Sequence, residues 1–523
     1  MASLREDYWE TFQLKEQDIE FLYNYLLETE TPLNTQELLE VLVADRIQRE
    51  KAAIEQQRST GCDIYFPRES YSKGQKLVFP ALDWRKGEVI KIRPGVNPDL
   101  FEFDVIQVKL DTGELREYAA RLVDHALNHP PEVEVGDATL NQEVVLDQYQ
   151  EELIGKLEEG LSSNPDFVRI AGKWFPRALL VDINVGHLNL AEAVLDVASG
   201  GPLPTTAVLQ QVEVDSNVNQ KLLEFSMDYA LQEDPRFDEV GASGEVLWFL
   251  QRLEPEPVRE PPPVLSYSGI EFDHSRLTEQ MLGLEGELDD ELTSSIGKLS
   301  TEGDMDVCLI FPHWRVGTLP LSERTRHLFP TAYEAPRIRF TIVDGESNER
   351  FPAWVVRPHR YVYGLKDWYV KKGLLPGSII KLQRGKNRGE VILKSDSRHH
   401  SREWVRTVLV GSDGGVVFAM LRQPISSAYD ERMTIAVPDV EAIDQVWERM
   451  QKERVPFERI VVDIMRELAK LNPQSHVHAS ELYAAVNVVR RCPPGPILEL
   501  LASRPWFVHV GDLHFRYNDT ENT

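Results

Sequence analysis

Cysteine is nearly absent from this chain of 523 residues, which has only Cys62, Cys308 and Cys492. Their wide separation excludes a zinc ribbon and argues against a disulfide framework, so we expect buried, reduced thiols. Apolar runs of membrane-spanning length are also missing, and the opening M-A-S-L-R-E-D-Y-W lacks the regions of a secretory signal. These absences predict a soluble cytoplasmic protein without membrane contact, nucleoid-associated if the source is bacterial.

Catalytic motifs are missing as well. The chain has no phosphate-binding Walker loop, no G-x-G-x-x-G after a strand, no H-E-x-x-H and no nucleophile elbow. We therefore expect a non-enzymatic protein with no cofactor, no metal and no small-molecule substrate. The alternatives are two histidine groups that suggest a metal site but lack a further ligand, and one acidic group that suggests a nuclease cluster but is more typical of a hairpin turn. These groups are His399, His400 and Glu403; His476, His478 and Glu481; and Asp344, Glu346 and Glu349.

Positive charge is scarce, with 57 Lys and Arg against 85 Asp and Glu and a formal net charge of -28. One segment reverses this sign, because Val307–Ala428 holds twenty basic and ten acidic residues. At its centre, Phe351–His400 has eleven basic and three acidic residues interleaved with aromatic ones. A basic, aromatic segment in a chain that otherwise repels polyanions predicts a nucleic-acid-binding surface. The alternative is the solvated face of a β-domain.

Length and mixed periodicity predict an α+β multidomain protein. Residues 1–60 are predicted to form a helical segment of helix-turn-helix type. Residues 68–126 alternate apolar and polar positions in short runs such as W-R-K-G-E-V-I-K-I and F-E-F-D-V-I-Q-V-K-L, followed by a D-T-G turn. This stretch resembles the small SH3-like barrels of the Tudor and KOW kind. The resemblance implies nucleic acid, RNA polymerase or another protein as the ligand.

An internal repeat occurs three times. The copies read N-P-D-F-V-R-I-A-G-K-W-F from Asn164, D-P-R-F-D-E-V-G-A-S-G-E-V-L-W-F from Asp234 and R-P-W-F-V-H-V-G-D-L-H-F from Arg504, each after a run of helix. This pattern resembles the HARE-HTH class of winged helices, which implies a link to transcription, chromatin or restriction. The small barrel interrupts the first copy between its second and third helices. The second copy is strongly acidic, which favours protein binding or a structural role, whereas DNA contact by the third copy stays open.

Residues 255–304 are predicted to link the two halves of the chain. They begin with a proline- and glutamate-rich stretch and continue with Glu279–Glu291, which holds six acids and no base. The proline- and glutamate-rich residues 253–264 are predicted to be stiff and extended, and the acidic stretch is predicted to be a solvated spacer. An acidic segment that competes with DNA for the basic surface is the alternative.

Residues 305–440 form the basic domain. The runs R-I-R-F-T-I-V and F-P-A-W-V-V-R predict a strand pair, and S-I-I-K-L-Q-R-G-K-N-R-G-E-V-I-L predicts a hairpin. Trp354 and Trp368 are expected in the core. The run Y-V-Y-G-L-K-D-W-Y, followed by K-K-G-L-L-P-G-S-I-I-K-L, resembles the DNA-binding pseudobarrel of plant transcription factors and restriction-enzyme effector domains. Ser378 departs from this pattern, since the family commonly has an acid there.

That family grips the major groove of DNA with loops and strand ends. Together with the local charge, the resemblance predicts nucleic-acid contacts in the basic domain and a second contact near the C-terminus. Planar arginine side chains suit guanine, and lysine side chains neutralise phosphate. The predicted residues are Arg315, Arg324, Arg326, Arg357, Arg360, Lys366, Lys371, Lys372, Lys381, Arg384, Lys386, Arg388, Arg402 and Arg406, with Arg490 and Arg491 as the second contact.

The expected function is non-enzymatic binding of double-stranded DNA in transcription or chromosome-associated regulation. One alternative is an acidic protein-interaction scaffold or RNA-polymerase-associated factor, and another is a restriction or defence component. The predicted domains are 1–60, helical; 68–126, the Tudor-like barrel; 140–182, a helix with the first hairpin copy; 186–254, the second winged helix; 255–304, the linker; 305–440, the pseudobarrel; and 441–519, the C-terminal winged helix.

Overall fold

A computed structural model of the chain describes residues 8–59, 63–79, 82, 85–96, 102–123, 125–128, 140–212, 214, 218–293, 303–387, 389–412 and 414–518. The architecture is α+β and divides into two compact units. The first unit is Met1–Arg169, Lys173–Leu180 and Val218–Leu222. The second is Ile170–Gly172, Val181–Asn217 and Leu223–Thr523.

The first unit contains a helical module with a small sheet inserted in it. Its elements are α1 (Glu16–Thr29), β1 (Leu33–Asn34), α2 (Thr35–Ser59), β2 (Asp63–Ile64), β3 (Lys76–Phe79), β4 (Arg85–Pro94), β5 (Asp104–Leu110), β6 (Leu115–Ala120), α3 (Gln142–Ser162), β7 (Phe167–Ile170) and β8 (Lys173–Pro176).

Strand β1 joins the two ends of this module. Leu33 lies opposite Trp174 in an antiparallel pair, which gives the sheet order β1-β8-β7. The strands β2 to β6 form a separate five-stranded sheet in sequence order. Residues 1–60 and 140–182, which we predicted as separate domains, therefore contribute to one module. The small sheet is an insertion between α2 and α3, as the repeat pattern predicts.

The second unit begins with an acidic module of the same element order. Its helices and strands are α4 (Val185–Val197), β9 (Leu203–Pro204), α5 (Thr205–Leu209), α6 (Gln220–Glu233), β10 (Phe237–Glu239) and β11 (Leu247–Leu250). The sheet order is β10-β11-β9, with Leu203 opposite Trp248. The two-residue strand before the second helix thus completes the hairpin sheet in this copy as well.

The predicted linker is folded where the structure describes it. It contains α7 (Glu256–Arg259) and α8 (Glu279–Leu288), and the side chains of Leu277, Met281 and Leu284 are buried in a hydrophobic core. The prediction of a solvated spacer is therefore wrong for the acidic stretch, where α8 has buried side chains. The composition showed the acidic residues, but the apolar residues between them recur at helical spacing. This spacing gives α8 one buried face.

The basic domain is a seven-stranded mixed sheet with two short helices. Its elements are β12 (Met305–Cys308), α9 (Phe311–Val316), β13 (Thr318–Pro320), β14 (Arg337–Asp344), β15 (Arg350–Val356), β16 (Tyr361–Tyr363), α10 (Lys366–Lys372), β17 (Ile379–Arg384) and β18 (Glu390–Lys394). The sheet order is β12-β17-β18-β14-β15-β16-β13. Trp354 and Trp368 are 5% and 4% exposed, which confirms them as core residues.

A long ribbon and a third helical module complete the second unit. The elements are β19 (Ser397–Val410), β20 (Val416–Ser427), β21 (Ile435–Ala436), α11 (Val440–Lys452), α12 (Phe457–Ala469), β22 (Val477–His478), α13 (Ala479–Val489), α14 (Pro494–Ser503), β23 (Phe507–Gly511) and β24 (His514–Tyr517). The ribbon sheet has the order β20-β19-β21. The sheet of the third module has the order β22-β24-β23, with Val477 opposite Phe515.

The first two modules share a buried polar contact that the third replaces with apolar packing. The indole N–H of Trp174 donates to Thr35 at 3.0 Å, and the indole N–H of Trp248 donates to Thr205 at 3.1 Å. Each threonine hydroxyl donates to a carboxylate nine residues before the repeat phenylalanine, on Glu158 or Asp228. The corresponding side chains of the third module are those of Ala479, Leu498 and Phe515, all at most 2% exposed.

Candidate functional site

Six of the side chains predicted to bind nucleic acid are held in ion pairs with carboxylates of the second unit. The pairs are Arg315 with Asp444 at 2.7 Å, Arg326 with Glu323 at 2.8 Å, Lys371 with Glu349, Lys372 with Asp344 at 3.0 Å, Lys381 with Asp396 at 3.7 Å, and Arg406 with Glu481 at 2.9 Å. The more exposed of these pairs are individually weak. Together they nevertheless reduce the positive potential that the residue count implied.

The acidic turn after β14 supplies several of these carboxylates. Burial alone would raise the pKa of Asp344, but hydrogen bonds from the backbone N–H of Glu346 and from Lys372 outweigh it and lower the pKa to about 2. Asp344 is therefore an ionised carboxylate fixed by its own turn and by Lys372. The three acids considered for nuclease chemistry thus include two that bind Lys372 and a third, Glu349, that binds Lys371.

Four more of the predicted side chains are occupied by backbone carbonyls. Burial and the neighbouring charge of Arg315 lower the pKa of Lys366, whose ammonium group donates to two carbonyls and lies 4.7 Å from the Trp314 ring. These groups keep their charge but are oriented toward the protein. The nearest contacts are Arg357 to Ala335 at 2.7 Å, Arg360 to Glu291 at 3.1 Å, Lys366 to Arg315 at 3.0 Å, and Arg384 to His327 at 2.6 Å.

The remaining predicted residues of the basic domain form a small set. Lys386 and Arg402 are exposed and make no ion pair with the part of the chain that the structure describes. Arg324 is partly buried and lies near Asp289. Burial raises the pKa of Asp289, and the charge and backbone N–H of Arg324 offset only part of that increase. Arg388 lies outside the described residues. Among the described residues, most of the predicted cations are therefore engaged by carboxylates or backbone carbonyls of the protein itself.

The predicted second contact must be corrected for Arg491. Its side chain is fully buried and pairs with Asp290 and Glu291, each at 2.7 Å. A guanidinium that is sealed from water and paired with two carboxylates cannot reach a phosphate group. Arg490 is partly exposed, but its guanidinium lies 5.6 Å from the Phe457 ring and donates to the carbonyl of Val455.

The third helix of the C-terminal module is also covered. Seven of the ten residues of α14 are buried. The ring of Phe272 lies so close to Gly495 that a Cβ there would meet it at 2.5 Å. On the same helix, Glu499 lies 3.6 Å from Arg276. The folded segment before the basic domain therefore occupies the outer face of α14.

The exposed face of the ribbon carries the largest aromatic side chain that the second unit presents to solvent. Trp404 on β19 is 61% exposed and lies opposite Arg422 on β20, whose guanidinium is 5.4 Å from the indole ring. Side chains alternate between the faces of a strand, so Arg402 lies on the same face as Trp404. The partly exposed Met420 lies opposite Arg406 on this face. Trp404, Arg402, Arg422 and Met420 are called the ribbon face below.

Strand β20 also has an unpaired edge. In the described part of the chain it pairs with β19 alone, and β21 lies on the other side of β19. Val417 and Leu421 on the opposite face of β20 are 41% and 38% exposed. A long edge strand with exposed apolar residues is a template for pairing with another extended chain. Sequence reasoning found Arg402 but missed Trp404, although R-E-W-V-R alternates basic and aromatic residues on one face.

One of the two histidine groups has a structural role, whereas the side chains of His399 and His400 lie outside those that the structure describes. His478 accepts the backbone N–H of Ser480 at the start of α13, and burial together with the charge of Arg432 lowers its pKa to about 4. Within the described ranges, no three His, Cys, Asp or Glu side chains are grouped to hold a metal ion. Among the same residues, no helix combines the length and the apolar character needed to cross a membrane.

Comparison with known proteins gives no relative. The chain matches no protein-family model, no curated protein and no solved structure.

Proposed function

We propose that the chain is a non-enzymatic interaction scaffold whose ribbon face binds an extended acidic segment of a partner protein. The observation that carries this proposal is Trp404, which is 61% exposed, stacked by Arg422 and set on a ribbon with an unpaired edge. Tryptophan, arginine and methionine are enriched where protein interfaces bind most strongly. An exposed tryptophan ordered by a cation is preorganised for such a contact.

The chemistry of the partner follows from charge. The ribbon face offers Arg402 and Arg422, neither of which has a carboxylate partner in the described part of the chain, in a protein of formal net charge -28. A neutral or basic partner would leave these two charges unused, whereas an acidic strand alongside β20 would pair with them. Backbone hydrogen bonds to the free edge would supply affinity, and contact with the exposed Trp404 ring would supply specificity.

The helical modules support a scaffold more than a DNA reader. We infer that they are winged helices, because each has a helix, a short strand, two helices and a hairpin in the same sheet order. A DNA-reading winged helix inserts its third helix into the major groove and needs exposed basic and polar side chains there. Helix α14 has no Lys or Arg and is largely buried. We further infer a Tudor-like fold for the inserted sheet and a pseudobarrel for the seven-stranded one.

Selection from a displayed peptide library on the full-length protein tests the proposal. We expect the enriched peptides to be extended, with acidic residues at alternate positions. Their affinity should fall about tenfold or more in a Trp404→Ala, Arg422→Gln variant, as for an interface hot spot. Lys386→Gln, which removes an exposed cation elsewhere, should leave the affinity unchanged. Peptides that bind the wild type and the ribbon variant equally would overturn the proposal.

The DNA-binding prediction is the competing outcome. It is tested by the fluorescence anisotropy of a labelled duplex at increasing salt, with a Lys381→Ala, Arg384→Ala, Lys386→Ala, Arg388→Ala variant for comparison. Phosphate contacts would produce affinity that falls steeply with salt and is lost in the variant. The scaffold proposal expects weak binding that is similar in both proteins. Tight, salt-dependent binding confined to the wild type would replace it with the DNA-binding prediction.

A further inference from the structure

Arg339 on β14 is a partly buried arginine with no carboxylate partner in the described part of the chain. Its guanidinium lies 5.1 Å from the Phe249 ring and 5.8 Å from the Trp354 ring, and one N–H donates to the carbonyl of Gly201 at 2.9 Å. The two rings are arranged edge to face, with centroids 5.3 Å apart. The aromatic contacts fix the plane of the guanidinium and leave its remaining N–H edge without a protein acceptor among the described residues.

The arginine two positions earlier shows what a compensated site in this sheet looks like. Arg337 pairs with Asp238 at 2.6 Å and with Glu254 at 3.4 Å, and donates to the carbonyl of Val258. Arg339 has no such carboxylate, and burial lowers its pKa. Removing a cation from water without a counter-charge is unfavourable, so such a residue requires a compensating interaction. The aromatic faces provide part of it.

Arg339 lines a cavity of about 500 Å³. The hydroxyl-bearing Thr341 and the apolar Leu247 and Pro352 also line it, and Arg350 contributes a second cation. Arg350 is 60% exposed and pairs with Glu390 at 3.1 Å. The acid on the wall, Glu245, is exposed and forms no ion pair with Arg339. The volume lies within the range of small-molecule sites, which are mostly apolar with a few convergent polar groups.

We propose that this cavity binds a small molecule through an oxyanion, a carboxylate or a phosphate, held by the free guanidinium edge of Arg339. A planar guanidinium binds such groups with two parallel hydrogen bonds. The Thr341 hydroxyl is placed to donate a further hydrogen bond, and Arg350 at the opening attracts the anion. Leu247 and Pro352 suit an apolar body on the same ligand. None of these residues belongs to the ribbon face, so this site goes beyond the proposed function.

Thermal unfolding of the full-length protein in inorganic phosphate or succinate tests the site. Sodium chloride at equal ionic strength is the reference for each probe. We expect at least one of the two anions to raise the Tm of the wild type by about 2–4 °C near saturation. Phosphate and succinate are separate arms, so the response distinguishes a phosphate site from a carboxylate site.

Variants separate binding from a general salt effect. Arg339→Gln should abolish the Tm increase, and Arg339→Lys should reduce it because lysine keeps the charge but loses the fork. Arg326→Gln, an exposed arginine outside the cavity, should retain it. Tryptophan fluorescence gives a readout that does not depend on stability. Because the Trp354 ring lies 5.8 Å from the Arg339 guanidinium, we expect the anion to change the fluorescence of the wild type and not that of Trp354→Phe. The proposal fails if neither anion acts on the wild type, or if Arg339→Gln responds equally.

Discussion

The guanidinium of Arg491 lies 2.7 Å from the carboxylate of Asp290, and both side chains are fully buried. The same guanidinium binds Glu291 at 2.7 Å, and Glu291 also contacts the imidazole of His313 at 3.1 Å. Tyr483 donates its hydroxyl to Asp290. Burial would raise the pKa of Glu291, but the charges of Arg491 and His313 outweigh it and lower the pKa. This buried cluster ties the acidic segment to the C-terminal module and to α9 of the basic domain.

Arg491→Ala should therefore destabilise the protein strongly. We expect a loss of about 3–5 kcal/mol in the free energy of unfolding, because two carboxylates would remain buried without their cation. Urea denaturation of the full-length protein measures it. The neighbouring Arg490→Ala is the matched control, with a loss of no more than about 1 kcal/mol, since Arg490 is partly exposed. Similar losses for the two variants would contradict an electrostatic role of the cluster.

Glu254 should make stability fall as the pH rises. Burial and the neighbouring charge of Asp238 raise its pKa from 4.5 to about 8, despite Arg337 at 3.4 Å. The folded state therefore holds a proton that the unfolded state has released between these two values, so this contribution is full below pH 4.5 and is lost as the pH rises to about 8.

Glu254→Gln removes this dependence, because glutamine has no proton to lose. We expect the variant to gain stability relative to the wild type between pH 5 and pH 8, by roughly 1–3 kcal/mol. Urea denaturation at several pH values measures the difference. The exposed Glu260→Gln should follow the wild type at every pH. A difference that shrinks toward pH 8 would show that the sign is wrong.

The polar contact of the acidic module should behave as one unit. Trp248 donates to Thr205 and also to Asp228 at 2.9 Å, and the third module has apolar side chains at all three positions. We expect Thr205→Ala, Asp228→Leu and Trp248→Phe to cost about 1–3 kcal/mol each, because each removes buried hydrogen bonds. Equilibrium unfolding of the triple variant should give a loss smaller than the sum of the three by at least about 1 kcal/mol. Additive losses would mean that the three side chains are independent.

Truncation of two tryptophans of the second unit should change the free energy of unfolding by very different amounts. Trp354→Ala should cost about 3–5 kcal/mol in the free energy of unfolding, because its side chain is 5% exposed in a hydrophobic core. Trp404→Ala should change stability by less than about 0.5 kcal/mol, since the indole is 61% exposed. Chemical denaturation of both variants checks this. A large loss of unfolding free energy in Trp404→Ala would show that Trp404 packs in a core. The proposal that the ribbon face binds a partner would then lose its basis.

Sequence periodicity predicted the local elements well, because these depend on neighbouring residues. The hairpin of β17 and β18 and the inward Trp368 follow from alternation and helical spacing alone. The interruption of the first repeat by a small sheet also followed, since the three repeats could be aligned by their proline and phenylalanine spacing. The partner of β1 could not be predicted, because two residues carry too little pattern to select β8.

The electrostatics of the site were predicted less well, for a physical reason. Counting charge in a window of sequence assumes that each residue faces solvent alone. Arg315 instead meets Asp444, 129 residues later, and Arg406 meets Glu481. Conversely, Arg339 was not selected from R-I-R-F, because the absence of a carboxylate partner appears only when the fold is known. The sequence shows whether a basic side chain is paired or free only when its partner is close to it in the sequence.

The pairing of Leu33 with Trp174 has a consequence for biosynthesis. During translation, α1, β1 and α2 are synthesised long before β8. The sheet of the first module therefore cannot form until the intervening residues and β8 have been synthesised. The strands β2 to β6 are contiguous and pair with sequence neighbours, and such local pairing closes early. The sheet of β2 to β6 should therefore fold before the rest of the first unit. The helices α1 and α2 should pack with β8 only after β8 has been synthesised.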